Sequence, residues 1–118
     1  MIYFAKLACY KASLTLAHRI YAQVTNWRAF DQQTTGAQIV RAAGSIGANI
    51  AEGSARDGKD PARFVRIALG SARETRHWVS VASAFEDRRI VGTWFDLLDV
   101  VEEGVEGLLK ALREKEVS

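Results

Sequence analysis

The chain has 118 residues, 48% of them apolar and 25% charged, and a formal net charge of +2 at pH 7. This composition indicates one globular domain over residues 1–118, and it excludes a disordered tail, a collagen-like repeat and a disulfide scaffold. The longest uncharged run, residues 42–51, is much shorter than the about 20 residues of a membrane-spanning helix, so no membrane partner is expected. The single cysteine, Cys9, favours a reducing, cytoplasmic setting.

Charge is unevenly distributed along the chain. Residues 1–76 contain 11 Lys/Arg and 5 Asp/Glu, whereas residues 77–118 contain 5 and 9. A basic first part is typical of a protein with a polyanionic partner. It is also compatible with contacts between the basic face of one copy and the acidic face of another, or with solvated helix faces.

Apolar residues at steps of three and four predict a first amphipathic helix over residues 3–25. Residues 26–34 break this pattern and are predicted to form a loop, whose Trp27 and Phe30 are expected to fold back onto the core. The stripe that we expect to face the core consists of Tyr3, Leu7, Tyr10, Leu14, Ala17, Tyr21 and Val24.

A second helix is predicted to open at a capping box formed by Thr35 and Gln38, and to end between Gly53 and Gly58. Its apolar stripe is Ile39, Ala43, Ile46 and Ile50.

A third helix is predicted from the N-cap Asp60 and from Pro61 at the first helical position, and it runs to about Glu86. Its expected inward face is Phe64, Ile67, Ala68, Ser71, Thr75, Trp78, Val79, Ala82 and Phe85.

A fourth helix is predicted to start with a capping pattern at Thr93 and Asp96. Because no alternating run indicates a strand and the connections are short, the sequence predicts an all-α fold, an up-down-up-down antiparallel four-helix bundle. The core positions of the fourth helix are Trp94, Leu97, Leu98, Val101, Val105, Leu108, Leu109 and Leu112.

No catalytic residue, metal site or cofactor is predicted. Residues 53–60 approach the phosphate-binding loop pattern, but Asp60 stands where a hydroxyl should bind magnesium and no strand precedes them. Glu74 and His77 have the i, i+3 spacing of di-iron bundles, which need two such pairs and two further carboxylates. Cys9 is expected to be a small buried apolar residue.

Helix two carries a row of polar residues beside its apolar stripe. Asn49 lies close to that stripe, and a buried amide needs hydrogen-bond partners. We therefore expect an internal network that fixes the helix register, with a ligand site as the alternative. Its members are Arg41, Ser45, Asn49 and Glu52 on helix two and Ser71 and Glu74 on helix three.

Helix three carries arginines on the side opposite its predicted core stripe, a pattern that favours contact with a phosphate backbone. No motif for reading bases accompanies them. The alternatives are ion pairs between subunits, with the acidic face of helix four, and plain solvation. The candidate nucleic-acid-binding residues are Arg41, Arg56, Lys59, Arg63, Arg66, Arg73 and Arg76.

Residues 38–46 (QIVRAAGSI), 49–53 (NIAEG) and 64–72 (FVRIALGSA), followed by Glu74, resemble the four helix bundle protein family. These proteins were first noticed as products of intervening sequences in bacterial 23S ribosomal RNA genes. The chain departs from the family pattern in the first loop, where many members have Phe-Pro and this sequence has Ala29, Phe30 and Asp31.

The resemblance implies a homopentameric ring of four-helix bundles. The family includes the accessory variability determinant of diversity-generating retroelements, a pentameric basic protein that binds nucleic acid and a reverse transcriptase. The positions that match a nucleic-acid role here are Arg41, Arg56, Arg63, Arg66 and Arg73.

Two functions remain open after this comparison. The first is a non-enzymatic oligomer that binds RNA or DNA non-specifically through a basic helix face, with a reverse transcriptase or another protein as a further partner. The second is a protein-binding or structural assembly module with no nucleic-acid role. In that module the charges serve subunit contacts, and Gly104 and Gly107 allow close approach between helices.

Overall fold

The computed structural model describes residues 7–54 and 60–117, without the side chains of residues 115–117. A short α-helix and a π-helical turn lead without a break into the second long helix, so the described residues form four helical rods and no strand. The elements are α1 (Ala8–Val24), α2 (Ala29–Asp31), the π-helical turn (Gln32–Gly36), α3 (Ala37–Ser54), α4 (Pro61–Ala82) and α5 (Arg88–Val117).

The four rods form the predicted antiparallel bundle. α1 packs against α3 and α5, and α4 packs against the same two helices. Arg41 contacts Glu74 and Ser45 contacts Ser71, so residue numbers rise along α3 as those of their partners on α4 fall. The bundle measures 51 × 21 × 20 Å along its principal axes.

α1 faces the core with a different stripe from the one predicted. Its buried residues are Cys9, Ala12, Ser13, Leu16 and Ile20. The predicted stripe members Leu14 and Tyr21 are 43% and 63% exposed, and Tyr3 lies outside the described residues. Leu7, Tyr10, Ala17 and Val24 pack against the core as predicted, but they are only partly buried, so the stripe was right in part. The buried face is rotated because α1 has apolar residues over much of its circumference, and periodicity alone does not select the side that packs.

The loop after α1 is shorter than the predicted loop over residues 26–34. The chain is helical from Ala29, so the predicted capping box at Thr35 is wrong, and Thr35 is buried inside the π-helical turn. A π turn adds a residue to the helical repeat, which changes the direction of the side chains that follow. At Gly36 the chain passes so close to α1 that a Cβ atom would lie 2.9 Å from a methyl of Val24.

The two aromatic residues of this segment behave differently. Trp27 packs against the core, as predicted, whereas Phe30 is 71% exposed. Trp27 donates a hydrogen bond of 2.6 Å from its indole Nε1 to Glu86 and meets Phe85 edge to face, with ring centroids 4.8 Å apart. Gln23 donates to the same carboxylate oxygen at 2.9 Å, so Glu86 joins the α1–α2 link to the α4–α5 link.

α4 begins at Pro61 and ends at Ala82, four residues before the predicted end. Asp60 occupies the N-cap position, but it has a φ of 54° and its carboxylate makes no capping hydrogen bond. The face toward the core is also rotated from the prediction, since Ile67 and Phe85 are both 41% exposed. The residues that α4 buries are Ala62, Val65, Ala68, Leu69, Ala72, Thr75, Val79 and Ala82.

α5 begins at Arg88, five residues before the predicted start. The carboxylate of Asp87 accepts hydrogen bonds from the backbone N–H groups of Arg89 (2.8 Å) and Ile90 (3.4 Å), so Asp87 caps the helix and the predicted cap at Thr93 is wrong. The predicted core positions of α5 are confirmed: five are buried and three are partly buried against the core, with Trp94, Leu98 and Val101 among the least exposed.

α1 and α5 approach each other most closely at Gly104. A Cβ atom on Gly104 would lie 2.6 Å from the Cβ of Cys9, closer than two such atoms can come. Burial raises the pKa of the Cys9 thiol, which keeps it protonated at neutral pH. Cys9 is thus a small buried residue, as predicted, and it fits because its neighbour on α5 has no side chain.

Candidate nucleic-acid interface

The predicted basic row on α4 divides into two parts. Arg73 and Arg76 face α5 and form ion pairs within the subunit. Arg63 and Arg66 are exposed, and neither forms an ion pair with any acid in the described part of the chain. The structure therefore leaves the N-terminal half of the row available to an external anion.

Arg76 is the most strongly held of these arginines. Its guanidinium donates to Glu102 from Nε at 3.0 Å and to Asp99 from Nη2 at 2.7 Å, and it lies 5.6 Å from the ring centroid of Phe95. The hydrogen bond with Glu102 raises the pKa of Arg76, partial burial opposes this, and Asp99 adds to the rise. Arg76 therefore links α4 to α5 through its contacts with Glu102, Asp99 and Phe95.

Arg73 contacts Glu106 more loosely, at 3.6 Å, and both side chains are more than half exposed. The acids at positions 99, 102 and 106 follow one another at steps of three and four on α5. Arg73 and Arg76 of α4 are likewise three residues apart, and this matching spacing is the sequence signal that would have indicated pairing within the subunit.

Arg41 lies on α3 and contacts Glu74 of α4, with Nη2 3.0 Å from one carboxylate oxygen. The same nitrogen donates to Gln38 at 2.9 Å. Arg41 and Glu74 are both members of the predicted polar network. Arg41 remains 62% exposed at its side chain, so it lies at the edge of the α3–α4 contact. Arg56 and Lys59 fall outside the described residues.

The predicted polar network joins α3 to α4 and is partly buried. Asn49 donates from Nδ2 to the backbone oxygen of Ser45 at 2.8 Å and to its hydroxyl at 3.0 Å. That hydroxyl lies 2.9 Å from the hydroxyl of Ser71. Ser45, Asn49 and Ser71 are half-buried and Glu52 is exposed, so these groups line an open seam between two helices. Every buried side-chain nitrogen or oxygen in the described residues has a hydrogen-bond partner.

One surface was missed because three of its residues, Leu14, Tyr21 and Ile67, were assigned to the core. α3 exposes Ala37, Gly44 and Ala48, and a Cβ atom on Gly44 would meet nothing within 4 Å. Helical periodicity places exposed Leu14 and Tyr21 in the strip of α1 that borders α3, since Tyr10, one turn before Leu14, contacts Gly47. Ile67 borders α3 from the other side, one turn before Ser71. We call Leu14, Tyr21, Ala37, Gly44, Ala48 and Ile67 the α3-side surface.

No group of three or more His, Cys, Asp and Glu side chains that could hold a metal ion occurs within residues 7–54 and 60–117. Glu74 is engaged by Arg41, and the ring of His77 packs edge to face against Trp78, with centroids 4.9 Å apart. None of the helices formed by the described residues has the length and apolar character needed to cross a membrane.

Comparison with known proteins identifies a family and a solved structure of similar fold. A family model described as 23S rRNA-intervening sequence protein matches residues 5–87. A crystal structure from Bacteroides thetaiotaomicron VPI-5482, of a protein with unknown function from the S23 ribosomal protein family, is 24% identical and has a TM-score of 0.74. The match covers 86% of this chain and 98% of that chain, and at this identity it shows the fold alone. No curated protein matches.

The family match spans α1 to α4 and includes all three segments that carried the resemblance in the sequence. It covers more than half of the chain, and the solved structure has the same fold. The chain therefore belongs to the family of 23S rRNA-intervening sequence proteins.

Proposed function

We propose that this protein is a non-enzymatic, self-associating bundle that binds the phosphate backbone of RNA or DNA without base specificity. The observation that carries the proposal is the exposure of Arg63 and Arg66 with no acidic partner among the residues that the structure describes, on a helix whose other arginines are paired. Unpaired surface cations release counterions when they meet phosphates, and this release favours binding. Self-association multiplies such weak contacts because all copies bind the same strand.

The test is a titration of the purified protein into a fluorescently labelled 20-nucleotide RNA and a DNA duplex of similar length, followed by anisotropy. We expect binding at 50 mM salt that weakens steeply by 200 mM, because each phosphate contact contributes about −0.9 to the slope of log K against log salt on duplex DNA. The double variant Arg63→Glu, Arg66→Glu should abolish binding while the helical circular dichroism stays unchanged.

The matched control is Arg88→Glu, Arg89→Glu, which makes the same change in net charge at exposed residues of the α5 N-terminus. It should retain most of the affinity. Absence of binding by the native protein at 50 mM salt, with RNA and with DNA, would remove the nucleic-acid function.

The second candidate is an assembly module with no nucleic-acid role, and the α3-side surface favours it. Arg73 and Arg76 are paired within one subunit, so those charges do not explain contacts between copies. The residues that define the α3-side surface are uncharged, and the exposed Arg41 among them on α3 is paired with Glu74 of the same subunit. An α3 length of 18 residues, about 27 Å, and a bundle width of 20 Å give about 500 Å² per partner. A contact then buries about 1,000 Å² in total, the lower end for a specific interface.

We therefore propose a second copy of this chain as the occupant of the α3-side surface, with the homopentamer as the expected assembly. Light scattering should give the mass of an oligomer that persists at high salt, because apolar contacts are not screened. Leu14→Glu with Tyr21→Glu should yield monomers, whereas the control Val100→Glu, at a residue 46% exposed on α5, should not. A monomeric native protein, or an oligomer unaffected by the Leu14 and Tyr21 changes, would contradict this assignment.

A further inference from the structure

α5 carries exposed cations at the same end of the bundle as Arg63 and Arg66. These are Lys110 and Arg113, and neither forms an ion pair with any acid among the described residues. The sequence analysis attached no role to them because they stand in the acidic part of the chain.

The register of α4 against α5 follows from the ion pairs that join them. Arg76 meets Glu102 and Arg73 meets Glu106, so the contacts move toward the C-terminus of α5 as they move toward the N-terminus of α4. Seven residues are about two helical turns and return to the same face. Seven residues beyond the Arg73–Glu106 pair, α4 presents Arg66 and α5 presents Arg113.

At positions 76 and 73 of α4, an arginine faces an acid of α5. At the next equivalent position, Arg66 of α4 faces Arg113 of α5, so two arginines meet where the pattern would place an arginine and an acid. Arg63 lies one turn from Arg66, toward the N-terminus of α4. Lys110 lies one turn from Arg113, toward the N-terminus of α5. Packed helices lie about 8–10 Å apart, so Arg66 and Arg113 flank the same end of the α4–α5 groove, with Lys110 beside Arg113 and the exposed Arg63 beside Arg66 on the outer side of α4. We call Arg63, Arg66, Lys110 and Arg113 the four-cation cluster.

Like charges this close raise the free energy of the folded state, and they create a local positive potential that attracts anions. Arg73 and Arg76 of α4 are neutralised by acids of α5, whereas the four cations of this cluster have no such acid among the described residues. We propose that Lys110 and Arg113 of α5 complete a phosphodiester-binding site with Arg63 and Arg66 of α4, with single- or double-stranded nucleic acid as the ligand. This inference rests on the proposed nucleic-acid function and assigns it a site built from two helices.

Binding to this cluster is electrostatic and involves no covalent step. Guanidinium groups donate several hydrogen bonds to phosphate oxygens, and the lysine ammonium acts as a point charge beside them. Two helices that each supply two cations can engage more consecutive phosphates than α4 alone. The number of phosphate contacts is therefore larger than the number that the cations of α4 alone would make. The slope of log K against log salt is steeper for the same reason.

The experiment compares Lys110→Glu, Arg113→Glu with the native protein in the same anisotropy assay, on the RNA and on the DNA duplex. We expect at least a tenfold loss of affinity at 50 mM salt and a salt slope smaller by roughly 2, about 0.9 for each lost duplex contact. The control Arg88→Glu, Arg89→Glu changes the charge of the same helix by the same amount, about 30 Å away. It should stay within about threefold of the native affinity.

Cations near the C-terminus of a helix also stabilise it through the helix dipole, so charge reversal could lower stability. Lys110→Gln, Arg113→Gln avoids placing acids there, and it should lower the salt slope by the same amount while circular dichroism shows an intact bundle. A structural role alone would change the unfolding midpoint and leave the salt slope of the folded protein unchanged.

The outcomes separate this inference from the proposed function. If Arg63→Glu, Arg66→Glu abolishes binding and the Lys110 and Arg113 variants bind like the native protein, α5 takes no part and the inference is wrong, while the proposed function stands. If the α5 variants lose no more affinity than the Arg88 and Arg89 control, the effect is one of net charge and the cluster is also wrong. If the native protein binds neither nucleic acid, both proposals fail.

Discussion

Gly104 shows how one missing side chain sets the distance between two helices. The backbone of α5 lies against Cys9 of α1 at a separation that leaves no room for a methyl group on Gly104. The sequence predicted close approach between helices at Gly104 and Gly107. The structure uses Gly104 within the subunit, and Gly107 is exposed with nothing within 4 Å of an added Cβ.

Gly104→Ala should lower the free energy of unfolding by about 1–3 kcal/mol, because the overpacked contact with Cys9 outweighs the better helix propensity of alanine. Gly107→Ala is the matched control on the same helix, and it should raise stability by up to about 1 kcal/mol. Urea unfolding of the two variants measures both values. A stabilised Gly104→Ala protein would show that α1 and α5 are not in close contact at this position.

α1 and α4 illustrate what periodicity predicts for a helix and what it leaves open. Both helices were predicted, but the buried face of each is rotated from the expected stripe, as exposed Leu14 and Ile67 show. An isolated helix with apolar residues on two sides offers two candidate core faces, and only its neighbours in the fold choose between them. α3 has a single apolar stripe, and its predicted core residues Ile39, Ile46 and Ile50 are all buried.

Helix ends depended on local chemistry that the sequence showed only in part. Pro61 marked the start of α4 because proline is favoured at the first helical position. At α5, two candidate caps competed, and Asp87 accepts the backbone hydrogen bonds that had been assigned to Thr93. The π-helical turn before α3 has no sequence signature of this kind, so the predicted loop was too long.

The α4–α5 contact depends on Arg76 more than on Arg73. Arg76→Ala should lower the free energy of unfolding by about 1–2 kcal/mol, because it removes charge-assisted hydrogen bonds to the largely shielded Glu102 and to the exposed Asp99. Arg73→Ala should change it by less than about 0.5 kcal/mol, because the 3.6 Å contact with Glu106 is exposed. Urea unfolding compares them, and equal effects would contradict the unequal roles assigned here.

At the scale of the whole molecule, the bundle was predictable because four amphipathic segments joined by short links have few ways to bury their apolar faces. The candidate interface was predictable only in part. The sequence identified the arginines of α4, but the acids that neutralise Arg73 and Arg76 lie 23 to 33 residues away along the chain. Only the folded register decides which cations remain available, and this is why Lys110 and Arg113 had no predicted role.

The hydrogen bond between Trp27 and Glu86 spans 59 positions in sequence. Helices can form from local interactions, whereas this bond closes a loop that contains the π-helical turn, α3 and α4. Closing a loop of this length costs chain entropy. The hydrogen bond therefore stabilises the protein only after the intervening helices have packed against one another. The indole proton of Trp27 is therefore a natural reporter of completed topology, and its exchange with solvent distinguishes the finished bundle from a collapsed set of helices.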